Sequence, residues 1–443
     1  MIFFRSLPLL LAAFVANACA ANPLATKDQR DIDELSIALY KTHQFDSLKQ
    51  DARNQYIKTL KKYHVPITKQ VNTDIDLAMD ELLFNTIQKS ANGDPGNPKL
   101  TWTDTAARTH DWFGLNVPGS RYSYDNPDCF YRVVPISDKY SYKLHGRRYN
   151  NGTADSSFSL ISNPNSQGTV HAIYGKDIQV NDDGTYTITI DSSDSKNPNH
   201  LKSDWRVVQL FIRHNVGDWS KETPDELTIE VTKKPNPKDV KPFTNASIIA
   251  ATKNNLKQST FFYGFGALDF KTFSLKTNEV KTPQQSQWLG TLTSQAQSFG
   301  HYNLSDDEAL VVTLTKGKAD YFVVPACTVG LITTHPGKQQ VSLNNYQSVQ
   351  NKNGTYTYVY SKEDPGVHNW IDTSGRPQGV TMVRWQGLAT SGNSDNGIRV
   401  QSQVVKLNQL SHVLPSDTKR VSSSERKRQL QKRLSDYNRL HYQ

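Results

Sequence analysis

The chain has 443 residues, a net charge of +9 at pH 7 and three cysteines, and one residue in ten is Phe, Trp or Tyr. Its length suits roughly two or three domains with sizeable cores. The positive charge is concentrated between 419 and 443, where eight Lys or Arg stand against Glu425 and Asp436. The body therefore lacks the basic stripe that a nucleic-acid groove requires, and no nucleic-acid partner is expected.

At the N-terminus, Arg5 precedes the apolar run from Leu7 to Ala16, and Ala18-Cys19-Ala20 supplies small residues for cleavage. This pattern predicts a signal peptide over 1–20, a mature start at Ala21 and an extracellular, secreted protein. The apolar run is too short to span a bilayer and no later segment approaches that length, so no stable membrane insertion is expected.

Residues 21–98 read as a helical cap. Ile32, Leu35, Leu39 and Tyr40 recur at helical spacing, as do Ile75, Leu77, Leu82, Leu83 and Ile87. Thr73 with Asp76 suggests an N-cap, and the Gly- and Pro-rich run from Gly93 to Pro98 ends the helical region.

From 99 to 232 the pattern changes to short runs of Val, Ile, Tyr, Phe and Thr broken by turn residues, which predicts a first β module. Residues 233–300, opening on Pro235, Pro237 and Pro242 among lysines, read as linker and connecting segment. A second β module follows over 301–405, with strands expected to include Tyr321–Pro325, Leu331–Thr334 and Val380–Trp385. Residues 406–443 form a basic tail. Ser422 and Glu425 are placed to cap a helix whose Leu430, Leu434, Tyr437 and Leu440 share one face, and this tail is expected to be exposed and dispensable.

The modules repeat one another. An offset of 170 lays Ile178–Thr187 on Ser348–Thr357 and Asn199 on Asn369, and one residue further out Ile212-Arg213 meets Val383-Arg384. The fold class expected is mainly β, with an N-terminal α-helical cap and two similar β-sandwich-like modules.

Three stretches carry a resemblance: Asp125-Asn126-Pro127-Asp128, the run Gln209–Arg213 followed by Gly217-Asp218-Trp219, and Glu363-Asp364-Pro365-Gly366-Val367-His368-Asn369-Trp370-Ile371-Asp372-Thr373-Ser374-Gly375. They resemble a family of bacterial and fungal proteins described only as a domain of unknown function, often in tandem. The resemblance covers about residues 110–390. It implies two β-sandwich-like modules and brings no activity or catalytic residue.

The chemistry-bearing patterns are sparse. No His-Glu-x-x-His, His-x-His or paired Cys-x-x-Cys offers a metal site, no Gly-x-Ser-x-Gly elbow occurs, and Gly264-Phe265-Gly266 reads as a loop and not as a dinucleotide site. Neither a cofactor nor a metal is expected. Cys129 and Cys327, one per module, are expected to form the single disulfide of a secreted chain, two buried thiols being the alternative. Sequons at Asn151, Asn245, Asn303 and Asn353 are candidate glycosylation sites.

His214 and Asp218 suit an acid–base pair, with Arg213 to hold a carboxylate or enolate oxygen. The competing reading is a structural ion pair. Trp219, Trp370 and Arg384 are the candidate ligand-binding residues, an Arg and a Trp lying near strand ends in each half. The leading expectation is a secreted glycoprotein that binds a small organic ligand or glycan in an aromatic cleft between modules. The alternatives are a metal-free acid–base enzyme (a lyase, isomerase or hydrolase) and a cell-wall or surface structural protein.

Overall fold

The computed structural model describes residues 23–108, 113–285, 292–389 and 395–441. The expected signal peptide lies outside the described residues.

Three helices open the fold: α1 (Lys27–Tyr40), α2 (Asp46–Lys62) and α3 (Lys69–Ala91). Thr26 and Thr68 cap α1 and α3 by accepting from the backbone N–H three residues on. The N-cap expected at Thr73 is therefore displaced: Thr73 sits within α3, its hydroxyl turned back to the Lys69 carbonyl. Ile75, Leu82, Leu83 and Ile87 are buried as expected, whereas Leu77 is exposed.

Each module is a pair of packed sheets, and the two modules repeat the same order. In the first, the inner sheet runs Thr101–Thr103, Cys129–Pro135, Gln209–Asn215, Asp155–Asn163, Gln167–Tyr174. Its outer sheet runs His200–Lys202, Thr185–Asp191, Ser141–Arg147, Glu226–Lys233. In the second, the inner sheet runs Glu279–Val280, Ala296–Asn303, Gln378–Gln386, Tyr321–Pro325, Ser342–Asn344, with Gln284–Gln285 also pairing with Ala296–Asn303. Its outer sheet runs Trp370–Asp372, Thr355–Ser361, Glu308–Thr315, Arg399–Lys406. In both outer sheets the short first strand pairs parallel with its neighbour, Thr189 opposite His200 and Val359 opposite Trp370. All other pairings are antiparallel.

Strand alternation then separates two faces of each inner sheet. Leu210 and Ile212 enter the first sandwich core with Leu144, Phe158 and Ile188. Val383 and Trp385 enter the second with Leu310, Phe322 and Tyr358. The opposite faces, carrying Phe211 and Arg213 on one side and Met382 and Arg384 on the other, are buried too. A strand buried on both faces shows no alternation of exposure, and Gln209–Asn215 and Gln378–Gln386 are buried almost without a break although both carry polar residues and an arginine.

Several expectations change here. The segment 233–300 is no simple linker: it forms α4 (Asn245–Ser259), a π-helix over Thr260–Phe273 and the inner strand Ala296–Asn303. Gly264 and Gly266 lie within that π-helix and not in a loop. Leu331–Thr334 is not a strand. Leu331 takes φ +68° and packs with Ile332 into the helical core beside Ile75 and Ala78.

The expected Cys129–Cys327 disulfide is not formed; both cysteines are free and buried. Cys129 belongs to a cluster with Tyr131, Val133, Ile161 and Phe211, while Cys327 belongs to the helical core with Tyr124 and Val380. The two thiols serve different cores, and burial raises both above the ordinary thiol range. Asn151, Asn245, Asn303 and Asn353 are all exposed.

The tail is not a solvent-facing appendage. Its helix, Ser423–His441, carries the expected capping box between Ser422 and Glu425. It buries Arg426, Arg433, Tyr437, Leu440 and His441, with Leu430 and Leu434 only half-buried. Arg426 reaches Asp364 (2.8 Å) in the second module. Arg439 donates to the Trp219 carbonyl (2.9 Å) in the first. The helix clasps both modules through Arg426, Arg433 and Arg439, while Lys427, Arg428 and Lys432 stay exposed.

Candidate functional site

The expected His214–Asp218 pair does not form. His214 is fully buried inside the first sandwich, its Nε2 3.3 Å from Asp225 Oδ2 and its Nδ1 3.1 Å from Arg132 Nη2. Burial lowers the imidazole below its ordinary range. Asp218 lies at the surface in a turn, accepting from the Ser220 backbone (3.0 Å) and hydroxyl (2.6 Å). Alternation explains the split, since residue 214 points into the sandwich where 213 points out.

The two tryptophans also have structural positions. Trp219 donates its indole N–H to Asp128 (2.8 Å) and lies under the Arg433 guanidinium, 4.5 Å from the ring centroid. Trp370 donates to the Ser361 carbonyl (3.2 Å), beneath Arg426. The long motif around it is a turn with an Asx-type bond, Gly366 N to Asp364 Oδ1 (2.9 Å), and Gly366 takes φ +70°. It forms the socket that receives the C-terminal helix.

Arg213 and Arg384 do come together. Both line one cavity of about 120 Å³ where the inner sheets face each other under the π-helix. Arg213 lies over the Phe211 ring at 4.2 Å and donates to Gln167 Oε1 (2.6 Å). Phe211 stacks on Tyr131 at 5.6 Å, and the Tyr131 hydroxyl accepts from Arg384 Nη1 (3.0 Å). Arg384 also donates to the Tyr124 carbonyl. The two guanidiniums are thus joined by a bridge of aromatic rings.

Neither arginine makes an ion pair among the described residues; Arg213 Nη1 and Arg384 Nε are buried without a hydrogen-bond partner. A buried guanidinium N–H left unsatisfied is costly.

The cavity wall is also strained. Eleven described non-glycine residues take positive φ, and four of them, Asp104, Ser123, Tyr124 and Gln167, line this cavity. Such conformations cost about 1–3 kcal/mol each and gather at functional sites. The fold holds them by clamps on either side. Arg121 is bound to Glu81 (2.8 Å), the Tyr124 N–H donates to the Leu331 carbonyl (2.7 Å), and Asp125 accepts from Thr333 N (2.7 Å).

The π-helix supplies the roof. Its i→i+5 bonding widens the turn, so residues four apart stay near one face, and Tyr263, Ala267 and Lys271 all line the cavity. Tyr263 is anchored to the Asn165 carbonyl (2.5 Å). Burial displaces most titratable groups of the lining, among them one carboxyl and one amine. Burial, with the charge of Asp125, pushes the Asp104 carboxyl well up. Burial, with the charge of Lys281, lowers Lys271 to about 8.

A solved structure of an uncharacterized protein from Burkholderia cenocepacia resembles this chain with a TM-score of 0.68 and 19% identity, covering 84% of this chain and 99% of that one. The likeness is one of fold. The VPA0106 protein from Vibrio parahaemolyticus is matched over 75% of this chain and 100% of its own, at 11% identity and a TM-score of 0.40. No protein-family model and no curated protein matches the chain.

Among the described residues no group of His, Cys, Asp and Glu is arranged to hold a metal ion. No described helix is long and apolar enough to cross a membrane. Of the sequence candidates, the cavity takes only Arg213 and Arg384. Asp104, Tyr124, Tyr131, Gln167 and Lys271 carried no motif; the nearest signal was the Asp125–Asp128 stretch adjoining Tyr124.

Proposed function

We propose that this chain is a secreted binding protein holding a small anionic organic molecule in the cavity between its β modules. The observation that carries the reading is the pair of buried arginines, Arg213 and Arg384, each presenting an unpartnered N–H and neither matched to a carboxylate. Planar guanidiniums beside aromatic rings suit a carboxylate attached to an apolar or unsaturated body. Secretion rests on the leader-like first twenty residues, and exposure of all four sequons accords with glycosylation. Membership of the tandem family of unknown function is part of the same proposal and rests on the three matching stretches.

Thermal-shift measurement with a panel of small carboxylates and neutral sugars tests this. Carboxylates raise the melting temperature of the wild type and not of a protein carrying both Arg213→Gln and Arg384→Gln. Stabilisation by neutral sugars alone would overturn the anionic assignment.

Asp104 and Lys271 favour a second reading, a metal-free acid–base enzyme. A carboxyl pushed up by burial and an amine lowered to about 8 on one cavity suit proton transfer to and from a carbon acid. Exchange of α-protons of a bound carboxylate into deuterated solvent, lost in Lys271→Met, tests this reading. Binding without exchange leaves the first.

A further inference from the structure

The two arginines are the same residue of a duplicated unit. Arg213 stands on the central strand of the first inner sheet, opposite Tyr131 on one neighbour and Ser157 on the other. Arg384 stands on the central strand of the second, opposite Gln297 and Val323 on the corresponding neighbours. Each is flanked in sequence by residues facing its own sandwich core, so both point away from their modules. Because the modules meet through these faces, the fold presents one arginine from each wall of a single cavity. They are 5% and 6% exposed.

Two buried guanidiniums on one cavity, with the half-buried Lys271 amine at its roof, are unfavourable until anions meet them. Among the described lining residues the only carboxyl is Asp104, which accepts from the Tyr122 N–H (3.1 Å) and pairs with neither arginine. Gln167, Tyr131 and the Tyr124 carbonyl satisfy some N–H groups and neutralise none. A ligand with one acidic group compensates one guanidinium and leaves the other.

From this, and resting on the anion-binding reading above, we infer that the ligand carries two acidic groups, one for each module's arginine. The class is a short dicarboxylate whose ends are separated by a compact body that the Tyr131, Tyr263 and Phe299 rings can cover.

Isothermal titration of the full-length protein with unbranched dicarboxylates from malonate to suberate, beside the monocarboxylates propanoate to octanoate, tests the inference without any variant. At the best-fitting length the diacid binds about tenfold or more tighter than the monoacid, the increment of one further charge-assisted contact. Arg213→Gln and Arg384→Gln, each checked for an unchanged melting profile, each bring diacid affinity down to that of the monoacid. Equal affinity for mono- and diacids at every length overturns the two-acid inference and leaves the anion-binding reading standing. Failure of every carboxylate to bind overturns both.

Discussion

Asn199 and Asn369 perform the same task in the two modules. Asn199 accepts from the Gln179 N–H (2.8 Å) and donates to the Gln179 carbonyl (2.8 Å). Asn369 does the same with Val349, at 2.9 and 2.8 Å. Each side chain thereby mimics a strand partner and ties the loop before one outer strand to the start of its parallel neighbour. Alanine at either position leaves a half-buried amide and carbonyl unpaired, at about 2–3 kcal/mol. Because the sites lie in separate sandwiches, the double variant is destabilised by the sum. Urea unfolding of the two single variants and the double variant measures this.

Gly184 and Gly354 share a turn, with φ of +83° and +84°, and their N–H groups donate to Asn181 and Asn351 at 2.9 Å. Alanine at either site strains the left-handed backbone by about 1 kcal/mol. Their surroundings differ. A Cβ on Gly184 would lie 2.4 Å from the Arg148 carbonyl oxygen, whereas one on Gly354 would meet only Gln350 Nε2 at 4.0 Å. Gly184→Ala is therefore the more damaging of the two, and a comparison of their melting temperatures decides it.

Removing the C-terminal helix uncovers Trp219 and leaves Asp364 and Gln340 without Arg426. A chain ending at Thr418 loses more than about 5 kcal/mol or fails to fold. Arg433→Ala alone, which frees the Pro336 carbonyl (2.5 Å) and Ser342 (3.0 Å), costs about 2–3 kcal/mol. Yield of folded protein and denaturant midpoints report both.

His441 is buried against Tyr437, Trp102 and Phe130, and that burial lowers its imidazole to about 3 from an ordinary 6.5. The unfolded chain binds a proton that the folded chain refuses, so stability present above pH 6.5 drains away as pH falls toward 3. The loss attributable to this group reaches about 5 kcal/mol. Asp128 and Asp155, both raised to about 6 from 3.8 chiefly by burial, act oppositely as pH rises through that window. The difference between wild type and His441→Phe isolates the histidine: the variant gains relative stability on acidification, read as a widening gap in melting temperature between pH 7 and pH 4.

The helical region, the strand-rich modules and the likeness of the two halves were legible because each is written in local periodicity. Ile75, Leu82, Leu83 and Ile87 repeat at helical spacing on one stripe, Thr185–Asp191 alternates strictly, and the Asn-x-x-Gly turn with its following strand recurs with matching hydrogen bonds. The arginine pair was legible for the same reason, since equivalent residues of a repeat occupy equivalent strand positions.

What tertiary structure alone decided is which of these residues face one another. His214 adjoins Arg213 in the chain, yet one points into a sandwich and the other into the cavity. Gln167 meets Arg213, Tyr131 meets Arg384, and Cys129 is kept from Cys327 through packing between elements far apart in sequence. The basic tail illustrates the same limit. Its charges and helical stripe are local properties, but whether cations meet water or carboxylates and carbonyls depends on the surface that the rest of the fold offers them. Local preference sets an element's shape, and the burial partner sets its role.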